Sequence, residues 1–128
     1  MNQLTLIFGA IFGLLAIIFG AFGAHALKKI LKEEQLNSFE TGVKYQMYHA
    51  IVLLFLGSNF TFKSTIESYA IYCFIAGTIL FSFSIYGLVI SSAINKKIKF
   101  LGPITPLGGI LLVFGWGLLI YNFTQTIS

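Results

Sequence analysis

The segment Glu40-Thr41-Gly42-Val43-Lys44-Tyr45-Gln46-Met47-Tyr48-His49 brings an acid, a base, two phenols, an amide and an imidazole into one short stretch. On a helix, Tyr45 and Gln46 stand one turn before His49, where their polar groups can bond its ring. His25 closes a separate apolar run. Three chemistries are open to such a set. His25, Glu40, Gln46 and His49 can form a hydrogen-bonded cluster that locks a connection to the rest of the fold. With Lys44 and Tyr45 added, they can line a pocket for a lipid headgroup or a small polar ligand. His25 and His49 can hold a metal or haem, but their separation has no characteristic ligand spacing and no Cys or Asp assists. The structural cluster is the leading reading, and no cofactor is expected. No Asp accompanies a histidine and no nucleophile elbow occurs, so the chain is read as a non-enzyme.

The composition says where these residues must work. Of 128 residues, 57% are hydrophobic and 9% charged, against about 45–50% and about 25% in soluble domains. A water-soluble enzyme, a disordered tail and a disulfide-built secreted domain are excluded on that ground. The length suits one membrane domain, residues 1–128. Eight lysines, four glutamates and neither Arg nor Asp give a net charge of +4. The lysines sit in short clusters between apolar runs, which suits anionic lipid headgroups rather than nucleic acid. Cys73 is alone, so it reads as a small buried hydrophobe.

Four stretches lack charge; three easily reach the length of about 20 residues that crosses a bilayer, and the second is somewhat short but can start earlier in the interface. In lipid they must be helical, because no water is there to bond the backbone. The expected architecture is an all-α integral membrane four-helix bundle, with spans near 4–24, 43–62, 67–93 and 103–123. Gly23-Ala24-His25-Ala26 contains an Ala-x-Ala pattern, but no positive charge precedes the run and the run is too long for a cleaved signal peptide. Lys28, Lys29, Lys32 and Lys44 follow the first span, and Lys96, Lys97 and Lys99 follow the third; Lys63 is alone on the other side. The positive-inside rule then places the first and third connections in the cytoplasm and both termini outside. Tyr69, Tyr72 and Tyr121 would mark the outer interface, and Tyr45 and Tyr48 the inner one.

Small residues recur at helical spacing: Gly9, Gly13, Ala16, Gly20 and Gly23 in the first span; Ala70, Gly77, Ser84 and Ser91 in the third. Ala50 with Gly57 and Gly108 with Gly115 repeat the device. Such seams let backbones approach, either within a tight bundle or between copies in a homo-oligomer. Leu27, Ile30 and Leu31 opposite Lys28, Lys29 and Lys32 predict a short interfacial helix after the first span. Asn37 and Glu40 have capping-box spacing, which starts the second helix near Ser38. Pro103 and Pro106 suit the start of the fourth. No carboxylate lies in mid-span, which counts against a proton-coupled exporter. Glu67 and Lys63 read as a solvated pair, and Trp116 as a packing residue away from the histidines.

Three motifs carry a family resemblance. They are Gly20-Ala21-Phe22-Gly23-Ala24-His25-Ala26-Leu27, Thr41-Gly42-Val43-Lys44-Tyr45-Gln46-Met47-Tyr48-His49-Ala50, and Gly102-Pro103-Ile104-Thr105-Pro106-Leu107-Gly108-Gly109 with Gly115-Trp116. Together they resemble the transmembrane-protein-256-like group of small bacterial and mitochondrial membrane proteins, whose bacterial members form a domain of unknown function. The resemblance implies about four membrane helices and no established activity, substrate or cofactor. Lys44 stands where that group carries Arg, so a bidentate contact there is not preserved.

Overall fold

The structure, a computed structural model, describes residues 1–127, with side chains as far as Gln125. The chain is all-α with four helices. Helix α1 is Asn2–Leu27, in which a π-helical stretch, Ile18–Gly23, separates α-helical Asn2–Ile17 from Ala24–Leu27. Helix α2 is Glu33–Asn59. Helix α3 is Thr65–Ala93, again interrupted by a π-helical stretch, Ile79–Phe83. A short 3₁₀ turn, Lys99–Leu101, leads into α4, Ile104–Ile127. Three helical stretches, Asn2–Leu27, Thr65–Ala93 and Lys99–Gln125, are long and apolar enough to cross a membrane. The 27 residues of α2 have the length, but Glu33, Glu34, Glu40 and Lys44 make its first half polar.

Helix α2 starts at Glu33, five residues before the start expected near Ser38. Gln35 supplies the cap: its side-chain oxygen accepts from the Lys32 backbone N–H at 2.9 Å, and Glu33 and Glu34 occupy the positive end of the helix dipole. Asn37 and Ser38 are interior. Ser38 Oγ donates to the Glu34 carbonyl and Thr41 Oγ1 to that of Asn37. The short stretch after the π-helical part of α1 ends at Leu27, and the chain turns through Leu31 with two amides bonded to the Leu27 carbonyl. Leu31 is buried there while Ile30 and the neighbouring lysines are exposed. Both prolines fall at the start of α4 as expected, Pro103 just before it and Pro106 in its first turn.

Two antiparallel hairpins build the bundle. In the first, Asn2 Nδ2 donates to the Gly57 and Phe60 carbonyls at 2.8 and 2.7 Å, and Gly23 meets Phe39 at the opposite end. In the second, Gly115 packs on Phe74, Gly77 on Leu112, and the Ser84 hydroxyl bonds that of Thr105. Helices α2 and α3 join the hairpins around Leu53, Ile71 and Phe74, all fully buried, with a second cluster of Leu31, Phe39, Tyr86 and Val89 at the lysine-bearing end. Outside, Leu14, Phe22, Phe55, Val113 and Ile120 are exposed, a surface suited to acyl chains rather than water. The small-residue seams lie between helices of this one chain: Gly9 against Ala50 and Leu54, Gly20 against Val43, Gly57 against Leu6 and Gly108 against the Phe81 backbone.

The connections are set by specific bonds. Asn95 adopts φ 60° after α3, and the Lys96 and Asn95 amides return to the Ser91 and Ser92 carbonyls; this is the Schellman arrangement, with Asn tolerating the left-handed position. Phe62 also has positive φ, 57°, and its N–H donates to Glu67 Oε2 at 2.7 Å. Glu67 therefore closes the α2–α3 turn instead of pairing with Lys63.

Candidate functional site

Of the six candidate residues only Tyr45 and His49 meet, the Tyr45 carbonyl lying 2.7 Å from His49 Nδ1. His25 is exposed near the lysine-bearing end; its neighbour Gly23 packs on Phe39, about 15 Å along the helix axis from His49. Glu40 is exposed on the outer side of α2. Lys44 is exposed too, beside a groove lined by Ala16, Gly20, Val43 and Tyr48, where its long stem can carry the ammonium toward headgroups. The expected convergence of His25, Glu40, Gln46 and His49 on one leaflet is thereby corrected. Successive residues of a helix diverge by 100°, and only Gln46 and His49 face inward.

Those two serve different networks. Gln46 is fully buried near the middle of α2. Its Nε2 donates to the Phe12 carbonyl of α1 at 2.8 Å, and its Oε1 accepts from Tyr86 Oη of α3 at 2.7 Å. One turn away, Ser82 Oγ of α3 donates to the Gly42 carbonyl at 2.7 Å. Three helices are thus tied by polar bonds in a region where an unpaired amide costs several kcal/mol. The close approach at Gly42 requires the absence of a side chain, since a Cβ would stand 2.8 Å from Tyr86.

His49 faces the other hairpin. Its Nδ1 lies 2.7 Å from the Tyr45 carbonyl, and Trp116 Nε1 donates to its Nε2 at 3.2 Å. Indole nitrogen only donates and a carbonyl only accepts, so the two contacts require the neutral tautomer protonated on Nδ1. The imidazole packs with Phe74 and Trp116 at centroid distances of 5.5 and 6.0 Å. Tyr45 contributes its carbonyl, while its ring is exposed and meets Tyr48 and Phe81 edge-on. A cleft of about 270 Å³ opens beside this group, lined by Tyr45, His49, Phe81, Leu112 and Trp116 among others. Among the described residues no group of His, Cys, Asp or Glu is arranged to hold a metal. Thr78 Oγ1 is buried with no partner among the described residues.

Sequence reasoning left Trp116 away from the histidines and passed over Tyr86 and Ser82. A signal existed for each. A donor-only indole in an apolar span needs an acceptor, and Ser82 and Tyr86 stand at i, i+4 on a helix that must face another polar group.

The comparisons with known proteins agree with this architecture. The family described as "Protein of unknown function (DUF423)" matches residues 19–109. The UPF0382 membrane protein SAB0533 of Staphylococcus aureus (strain bovine RF122 / ET3-1) is 40% identical over 118 residues, covering 92% of this chain and 93% of its own. The UPF0382 membrane protein YwdK of Bacillus subtilis (strain 168) is 38% identical over 117 residues, 89% of this chain and 90% of its own. The UPF0382 membrane protein SH2409 of Staphylococcus haemolyticus (strain JCSC1435) is 36% identical over 120 residues, 94% of each chain. No solved structure matches. The resemblance to the transmembrane-protein-256-like group thus holds at the coarser level, a small uncharacterised bacterial membrane-protein family, and not as that group specifically. The matched segment contains the Gln46–Tyr86 and Ser82–Gly42 bonds as well as His49, and on its extent this multi-span membrane protein belongs to the DUF423 family.

Proposed function

We propose that this protein is a non-enzymatic structural or interaction component of the cytoplasmic membrane. The observation that carries this reading is that the two buried candidate residues, Gln46 and His49, are spent on bonds within the bundle. Both ring nitrogens of His49 are engaged, and both ends of the Gln46 amide reach other helices. His49 keeps neither ring nitrogen for a substrate, and the Gln46 amide is fully buried with a protein bond at each end. In this reading the six lysines of the first and third connections, with Lys44 on α2, face the cytoplasmic side and attract anionic headgroups of the inner leaflet, at about 1 kcal/mol each near the surface. Both termini are then outside. Self-association belongs to the same reading. Because the α1 and α3 seams are filled within the chain, copies would meet on outward faces such as that of Gly117, beside which no heavy atom lies within 4 Å. The narrower kinship with the transmembrane-protein-256-like group also belongs here, on the strength of the three motifs.

The rival reading, a small transporter or ligand-binding membrane protein, is favoured by the cleft beside His49. His49→Phe separates the two, since it keeps a ring and removes both hydrogen bonds. The structural reading expects folded yield in detergent to fall. An intact protein that loses a native small molecule or lipid in mass spectrometry overturns it in favour of the cleft.

A further inference from the structure

We propose that the groove between the first turns of α2 and the end of α3 binds a phospholipid headgroup that carries both a phosphate and a primary amine. This goes beyond the scaffold reading and does not depend on it. The groove holds about 310 Å³, with Glu34, Gln35 and Ser38 on one side and Val89, Ser92 and Lys97 on the other. Glu34 and Lys97 are opposite charges lining one groove, yet among the described residues neither forms an ion pair. A ligand bearing the complementary pair of charges satisfies both at once. An ethanolamine phosphate has that form: its ammonium offers N–H donors to the Glu34 carboxylate while its phosphate takes the Lys97 ammonium.

The remaining polar groups fit the same ligand. Gln35 spends its side-chain oxygen on the Lys32 amide, which leaves its NH₂ without a protein partner and able to donate to a phosphate oxygen. The Ser92 hydroxyl is also without a partner, and the Ser38 hydroxyl, donating to the Glu34 carbonyl, keeps its oxygen as an acceptor. Lys96 and Lys99 are exposed beside Lys97 and add to the potential that draws a phosphate. The groove lies at the end of α3, a helix long and apolar enough to cross a bilayer, which is where headgroups stand, and Leu88 and Val89 in its wall offer an apolar path to the acyl chains. A headgroup with phosphate and no amine leaves Glu34 unpaired and places a second anion near it.

The test uses the full chain in vesicles of equal parts phosphatidylethanolamine, phosphatidylglycerol and phosphatidylcholine, followed by native mass spectrometry of the lipids it retains. Phosphatidylethanolamine should be retained about tenfold over phosphatidylglycerol, the worth of one charge-assisted contact. It should also exceed phosphatidylcholine, whose quaternary nitrogen donates no hydrogen bond. Glu34→Gln should bring phosphatidylethanolamine down to the phosphatidylglycerol level, and Lys97→Met should lower all three. Both side chains are exposed, so neither substitution disturbs the core. Lys63→Met, at the other end, should change nothing. Equal retention of the amine and glycerol lipids by the unaltered protein, or an unchanged ratio in Glu34→Gln, overturns the proposal. Displacement by soluble phosphoethanolamine at the lipid's own concentration overturns the lipid as the source.

Discussion

His49 carries two ring nitrogens into a region without water, and one neutral tautomer satisfies both, through the Tyr45 carbonyl and the Trp116 indole. Gln46 does more for the fold, because each end of its amide reaches a different helix. Gln46→Leu removes both bonds and strands the buried Tyr86 hydroxyl, and should cost about 1–3 kcal/mol. The lower part of that range applies in lipid, where such bonds average about 0.6 kcal/mol. Thr78→Val deletes a hydroxyl that has no partner among the described residues and should leave stability unchanged or slightly raised. Thermal midpoints of the two variants in one detergent decide this, and a larger loss at Thr78 contradicts the network. Gln46 and His49 were legible in the sequence because a polar group inside an apolar run needs a reason. Their partners were not. Helical spacing reveals neighbours at i±3 and i±4, whereas Phe12, Tyr86 and Trp116 are 34, 40 and 67 residues away.

Each hairpin contains one helix with a π-helical stretch, and each stretch meets a close neighbour. The wider turn at Ile79–Phe83 pushes the backbone of Leu80 and Phe81 against α4 at Gly108, where a Cβ would stand 2.3 Å from the Phe81 nitrogen. Backbone cannot yield as a side-chain tip can. Gly108→Ala should therefore destabilise the α3–α4 hairpin by at least about 1–3 kcal/mol, the usual cost of overpacking. Gly117→Ala, nine positions on in the same helix with open space around it, should be neutral or better. The folded fraction after extraction in mild detergent compares them; equal behaviour would mean that α4 does not press on α3 at Gly108. The seam itself was legible from residue size, since small residues at helical spacing have few other uses. The π-helical stretches were not, because no residue type marks them. The start of α2 was misplaced for a related reason. Asn37 with Glu40 satisfies the capping pattern, but Lys32 and Gln35 satisfy it earlier through a backbone donor and an amide side chain, and Ser38 bonds back into the helix it was expected to begin.

At the scale of the whole molecule, the start of α1, the last described turn of α4 and the Lys63 turn share one end of the bundle, and the two lysine-rich connections share the other. If the lysine-rich end faces the cytoplasm, alkaline phosphatase fused at either terminus should be active outside the cell. The same reporter placed after Lys97 should be inactive. Activity in the reverse pattern inverts the sidedness while leaving the bundle intact. By itself the sequence determined the apolar surroundings, the four-helix class and the charge asymmetry between the ends. These are sums over neighbouring residues, and lipid enforces them without reference to the rest of the fold. Only the tertiary structure decided that Gln46 and His49 serve separate networks, that His25 and Glu40 stand apart from both, and that the small-residue seams are filled from within. The physical reason is rotational. Which side chains meet across helices depends on how each helix is turned about its axis, and the π-helical stretches in α1 and α3 shift that turn partway along.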